Sequence, residues 1–229
     1  MSETTITKSK PVNSQLDSLL PIAAWLLVAL VLVLAFTSWA QSLDWHIFGV
    51  STYQLFPIFG LIAYSTMWTH YVISALRRGL GVRREALTNY YRVTSYVVLV
   101  SIVLHPGLLV WQLSRDGFGL PPASYLRYVG PSLHVAVLIG SASFIIFLAY
   151  EFRRIFRRRS WWRYLEWATD IAMVGIFYHG LVLGTQTHGG WFRVVWYFYG
   201  FTLFDILLYK HLVPIQEKRN ISNHVTKLK

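Results

Sequence analysis

Six stretches of about 20 predominantly apolar residues, the length that crosses a bilayer as a helix, fill most of this chain. They run approximately Pro21 to Ala40, Tyr53 to Leu76, Tyr90 to Leu113, Pro131 to Phe152, Tyr164 to Thr185 and Phe192 to Val213. Hydrocarbon offers no partners for backbone N–H and C=O groups, so such stretches are expected to be helical. The predicted fold is therefore all-α: a polytopic membrane protein with six transmembrane helices. With 55% apolar and 14% charged residues among 229, the chain has too little polar surface for a water-soluble globule. Three regions are expected: a polar N-terminal tail at 1–20, the bundle at 21–213 and a basic C-terminal tail at 214–229. Lys8, Lys10 and Ser38-Trp39-Ala40 give the first stretch a faint signal-peptide look. Its apolar run is longer than the roughly 7–15 residues of such a segment, so it is expected to be retained.

The net charge of +11 takes on a different meaning once it is laid onto this topology. Lys8 and Lys10 precede the first stretch; Arg77, Arg78, Arg83, Arg84 and Arg92 lie between the second and third. Arg153, Arg154, Arg157, Arg158, Arg159 and Arg163 lie between the fourth and fifth, and Lys210, Lys218, Arg219, Lys227 and Lys229 lie at the end. The opposite side holds only Arg115, Arg127 and Arg193. Such asymmetry places both termini in the cytoplasm by the positive-inside rule. The basic residues then serve as orientation signals and contacts for membrane lipids, and nucleic-acid binding is not expected. Trp161, Trp162 and Trp167 on the inner side, with Trp45, Trp111 and Trp191 on the outer, fit interfacial aromatic belts. The absence of cysteine excludes disulfides and thiolate metal sites.

Two histidines stand out because each lies well inside an apolar stretch. His105 falls on the order of 10–12 Å below the outer boundary of the third span and His179 on the order of 9 Å below that of the fifth. A titratable group at such depth is a functional-site candidate by default, and two at matched depth suggest a shared ligand. Neutral imidazoles from two facing helices suit the axial positions of one heme iron, with no open site for oxygen. Gly175, one turn before His179, and Gly180 and Gly184 after it would leave room for a flat macrocycle. Pro106, directly after His105, removes a backbone donor and is expected to kink its helix. The structural alternative is that both histidines hydrogen-bond to Ser or Thr on neighbouring helices, and the glycines serve close packing.

These residues also carry a resemblance. Arg77-Arg78-Gly79-Leu80-Gly81 before one histidine-bearing span, then Trp161-Trp162-Arg163-Tyr164-Leu165-Glu166 opening another that reaches Tyr178-His179, resembles the ferric reductase-like transmembrane domain superfamily. That superfamily includes the heme-binding membrane subunit of the bacterial methionine sulfoxide reductase system, the ferric reductases, the NADPH oxidases and the STEAP metalloreductases. The likeness covers roughly Tyr53 to Leu212. In two-heme members the third and fifth spans each carry two histidines; the outer positions fall here at His105 and His179, the inner ones at Tyr91 and Glu166. The resemblance thus implies a single-heme variant retaining one outer heme b, in the bacterial cytoplasmic membrane.

The inner half carries His70, Arg92, Glu166, Asp170 and Asp205. Charged groups at mid-membrane cost roughly 2.5–3.5 kcal/mol each on translocon scales, so these are expected to find one another. They would line a flavin or quinone pocket, relay protons, or form a salt-bridge network in place of the second heme. Near the outer surface, His134, His188, Arg127 and Arg193 are candidate donors to heme propionates, though a solvated loop residue looks the same in sequence. His46, His211 and His224 are expected to be solvated. No Gly-rich dinucleotide fingerprint is present, so a separate cytoplasmic reductase or a quinone would donate electrons, and an external acceptor would receive them. The reading is an electron-transfer subunit or oxidoreductase without its own flavin or NAD domain, and with no side chain assigned a catalytic role. The competing reading is a non-heme transporter or assembly scaffold, since buried acids and histidines also serve proton-coupled carriers.

Overall fold

The structure is a computed structural model that describes residues 14–151 and 161–227, with side chains from Gln15 to Glu151 and from Trp161 to Leu212. Lys8, Lys10 and the arginines between 153 and 159 lie outside the described residues, as do the side chains of Lys218, Arg219, His224 and Lys227. Seven α-helices and no strand are found among the described residues: α1 (Ser14–Gln41), α2 (Thr52–Leu80), α3 (Thr88–Arg115), α4 (Ala123–Tyr128), α5 (His134–Glu151), α6 (Trp162–Leu183) and α7 (Gly190–Lys227). The all-α expectation holds. Helix α1 begins ahead of the anticipated boundary and carries Pro21 inside it, and the backbone of α7 runs on as helix to Lys227, within the expected C-terminal tail.

Four segments are long and apolar enough to cross a membrane: Gln15–Gln41, Arg84–Arg115, Pro131–Glu151 and Gly190–Leu212. They are consistent with a multi-pass membrane protein. Large apolar side chains face outward on them, among them Leu26 (67% exposed), Ile145 (65%) and Phe201 (71%); water would penalise such a surface and lipid accepts it. Helices α2 and α6 are of comparable length, 29 and 22 residues, but more polar. For α2 the reason is its place at the centre, where α1, α3 and α7 all pack on it. The residues Ala63 to Thr69 are buried without a break, so shielding from lipid removes the need for an apolar surface.

Local sequence explains where the elements start and stop. Leu20, Ala24, Val28, Val31, Ala35 and Trp39 recur at three- and four-residue spacing and form the buried seam of α1. The Ser51 N–H and hydroxyl both donate to Gln54 Oε1 at 2.9 Å, capping α2. At its other end Gly81 takes φ +69°, and the Val82 N–H returns to the Arg77 carbonyl at 3.1 Å. A side chain at Gly81 would be strained, so this part of the arginine-glycine motif serves helix termination. Helix α3 continues through Pro106 as one helix.

The helices group into two pairs around the candidate site. Helix α3 packs along α2, and α6 packs along α5, whereas α3 and α6 meet only locally rather than along a ridge. Ties at the ends hold the assembly together. Arg83 donates from its backbone N–H and Nε to Asp17 at 3.0 and 2.6 Å. At the opposite end Trp39 Nε1 donates to the Gln54 carbonyl at 2.8 Å, and Trp191 Nε1 donates to Gln41 at 2.6 Å. Short α4 bridges α3 and α5 there. Tyr128 on α4 stacks on Tyr53 at 5.4 Å, and the Tyr53 hydroxyl donates to Asp116 at 2.5 Å.

Candidate functional site

His105 on α3 and His179 on α6 come together across the junction of the two helix pairs, with ring centroids 6.4 Å apart and ring planes at 83°. Each ring is positioned by the helix that precedes its own. His105 Nδ1 lies 3.0 Å from the Phe56 carbonyl of α2, and His179 Nδ1 lies 2.9 Å from the Ala136 carbonyl of α5. A carbonyl only accepts, so each Nδ1 carries the proton and each Nε2 keeps a lone pair. Neither Nε2 makes a hydrogen bond among the described residues. The expected alternative of Ser or Thr partners is not what the rings adopt; both bond to backbone.

A glycine completes each half. A Cβ added at Gly60, four residues after Phe56, would stand 2.9 Å from His105 Nδ1 and Cε1. One added at Gly140, four residues after Ala136, would run still more closely into the His179 ring. The two halves are therefore built alike: a carbonyl at position i and a glycine at i+4 on one helix, and a histidine from the next helix lying against both. Phe56 packs on the His105 ring at 5.3 Å. Both imidazoles are half-buried.

The glycines expected to make room near His179 are occupied differently. Gly175 faces α5, where an added Cβ would stand 2.9 Å from Ile139 Cγ2 and 3.0 Å from Ser143 Oγ. Gly180 receives the Trp196 indole, whose Nε1 donates to the Phe177 carbonyl at 3.1 Å. Gly184 lies against the end of its own helix. All three serve packing, and the glycines at the histidine rings are Gly60 and Gly140. These sit on the helices that neighbour the ones bearing His105 and His179, so only spatial pairing reveals them.

The outer candidates are engaged in loop architecture. His134 Nε2 donates to the Leu126 carbonyl at 2.9 Å, and the exposed His188 Nε2 donates to the Val182 carbonyl at 2.9 Å. Arg193 reaches the Tyr197 hydroxyl at 3.0 and 3.1 Å and the His188 carbonyl at 3.1 Å. Arg127 is exposed on α4. The Asp116 carboxyl beside this loop is held below the usual carboxylate range, first by the Tyr53 hydroxyl and then by the Gln112 amide.

The five inner polar residues do not converge as one network. Asp170, 4% exposed, accepts from Tyr71 at 2.9 Å, from Lys210 at 2.8 and 2.6 Å, and from His211 at 2.9 Å. His211 is thus a partner of Asp170 and packs against Trp167 with ring centroids 4.1 Å apart, contrary to the expectation that it is solvated. Glu166 accepts from Trp162 Nε1 at 2.9 Å. Trp162 is 6% exposed, so it departs from the expected interfacial belt. The Thr94 hydroxyl donates to the Tyr90 carbonyl at 2.6 Å, so at 2.6 Å from His70 it must accept from Nε2–H. Arg92 is exposed and donates to Asn89 at 3.0 Å, and Asp205 is exposed on α7, turned away from the others. The physical reason is helical phase: Lys210 and His211 share the side of α7 that meets α6, and Asp205 does not.

Below the two histidines lies a cavity of about 610 Å³. Tyr91 and Glu166 both line it, together with His70, Arg77, Arg78 and Arg84. Among the described residues no group of three or more His, Cys, Asp or Glu is placed to hold a metal ion. Compared with protein-family models, with curated proteins and with solved structures, the chain matches none.

Proposed function

We propose that this chain is a six-span b-type cytochrome of the bacterial cytoplasmic membrane, with both termini in the cytoplasm. It holds one heme b between His105 and His179 and carries electrons to an external acceptor. The observation that supports this above the others is the pair of imidazoles 6.4 Å apart, each with Nδ1–H on a backbone carbonyl and Nε2 unbonded. Metal-ligating histidines characteristically give their other ring N–H to a carbonyl or carboxylate, which fixes the tautomer and raises ligand basicity. Two neutral imidazoles that face each other with free Nε2 lone pairs are a donor set that fits a heme, and His105 and His179 would be the residues that hold it.

Heme, when bound, supplies a one-electron couple. The chain's own residues do the rest. Phe56 and Ala136 orient the rings, Gly60 and Gly140 let each ring lie against its neighbouring helix, and the apolar walls exclude water. The resemblance to the ferric reductase-like superfamily supports the same reading, since its inner ligand positions fall at Tyr91 and Glu166, both lining one cavity. Small-molecule sites typically occupy ~300–1,000 Å³. We assign the cavity to a flavin or quinone that accepts electrons from a separate cytoplasmic reductase or from the membrane.

A dithionite-reduced minus oxidised absorption spectrum of the purified protein tests the heme assignment. A b-type α-band is expected in the wild type and is expected to vanish in both His105→Ala and His179→Ala. No band after heme-supplemented expression would overturn the proposal in favour of the carrier or scaffold.

A further inference from the structure

Asp205 is an exposed acidic residue on the otherwise apolar middle of α7. Leu203, two residues earlier, is 2% exposed and marks the side facing the bundle. Two residues advance a helix by about 200°, so Asp205 points almost directly away from the protein. Phe198, Phe201, Phe204, Leu208 and Leu212 share this outer side, exposed by 40–71%. Asp205 makes no hydrogen bond or ion pair among the described residues.

Its depth makes this costly. Asp205 lies seven residues, about 10 Å, before Leu212 and fifteen, about 22 Å, after Gly190, well within the apolar segment Gly190–Leu212. Lys210 and His211 both reach Asp170, itself eight residues inside α6. Asp205 lies more than a turn deeper than that level. A carboxylate on one methylene cannot reach water from there, unlike the long side chains of Lys and Arg. Intramembrane carboxylates ordinarily face a bundle interior and pair with a base.

We infer that the outer face of α7 around Asp205 docks a transmembrane helix of another polypeptide that carries a Lys or Arg at the matching depth. Charge decides the occupant. A second copy meeting this face about a twofold axis would oppose two carboxylates. Among the described residues the chain offers no Lys or Arg at that depth on an outward face. Arg92 lies four residues into α3 and is held by Asn89. The inference needs α7 to cross the membrane and stands whether or not heme binds.

The absence of cysteine lets the test use one introduced dye site, Gly189→Cys, an exposed position with open space for a side chain just before α7, without other reactive thiols. The labelled protein in lipid nanodiscs is titrated with a synthetic single-span Leu/Ala helix bearing one Lys at the depth of Asp205, and with the same helix bearing Leu there. Energy transfer is expected to report at least tenfold tighter binding of the Lys helix, and Asp205→Asn is expected to erase the difference. Thermal melting of Asp205→Asn at the wild-type temperature shows that the fold is kept. If it melts lower, reversing the charge on the peptide, Lys to Glu, supplies the same comparison on wild-type protein. Equal binding of the peptides, or self-association through α7 detected by Phe201→Cys crosslinking, would overturn the inference.

Discussion

Each histidine ring lies against a glycine, and the consequence of adding one carbon there differs between the two halves. An alanine at position 60 would bring Cβ to 2.9 Å from the His105 ring, a small overlap, while at 140 the overlap with His179 is larger. Overpacking a tight site costs typically ~1–3 kcal/mol, and the ring cannot swing away without losing its carbonyl. Gly140→Ala is expected to lower heme content per chain more than Gly60→Ala, measured as α-band absorbance against protein; the reverse order would contradict the paired half-sites. Just past the end of α3, the Asp116 carboxyl is held below the usual carboxylate range because Tyr53 and then Gln112 donate to it. Its contribution to stability is fully present above the ordinary carboxylate range and is lost as pH falls through its depressed folded value. Tyr53→Phe removes the larger cause. The Asp116 carboxyl carbon, followed by NMR, is then expected to titrate at higher pH than in the wild type.

The joint between α6 and α7 depends on one buried carboxylate. Asp170 meets Lys210 and His211, whose side chains are 35% and 25% exposed. Removing one member of a fully buried pair costs about 3–5 kcal/mol, and the partial exposure of both bases reduces that. Asp170→Asn is expected to lower the melting temperature by several degrees while leaving the heme spectrum unchanged; an unaltered melting curve would count against the joint. The pairing was only half legible in the sequence. Asp170 stood out as a charge inside an apolar stretch, but Lys210 and His211 read as end-of-span residues because helical phase between two separate elements is not written in either one. The same limit explains Gly60 and Gly140, which carry no chemistry until a ring is placed on them. His105 and His179 were legible as a pair because each is a titratable group inside a long, largely apolar stretch, at a similar distance from its end.

At the scale of the whole chain, the helical class was legible because lipid leaves the backbone few choices. The polarity of α2 was visible as well, but its cause, enclosure by α1, α3 and α7, belongs to the packing. The six-span reading makes a topological prediction: reporters active only in the cytoplasm should be active when fused at either terminus, and inactive when inserted in the α3–α4 connection near Phe118. Activity at one terminus alone would contradict it. The pairing of two helix hairpins around two imidazoles makes a sharper one. Pyridine hemochrome assay of the purified chain, combined with low-temperature electron paramagnetic resonance, counts hemes and reports their axial ligation in one sample. One heme per chain with a low-spin, six-coordinate signal is predicted. No heme, two hemes per chain, or a high-spin signal from a single axial histidine would contradict the clamp between His105 and His179.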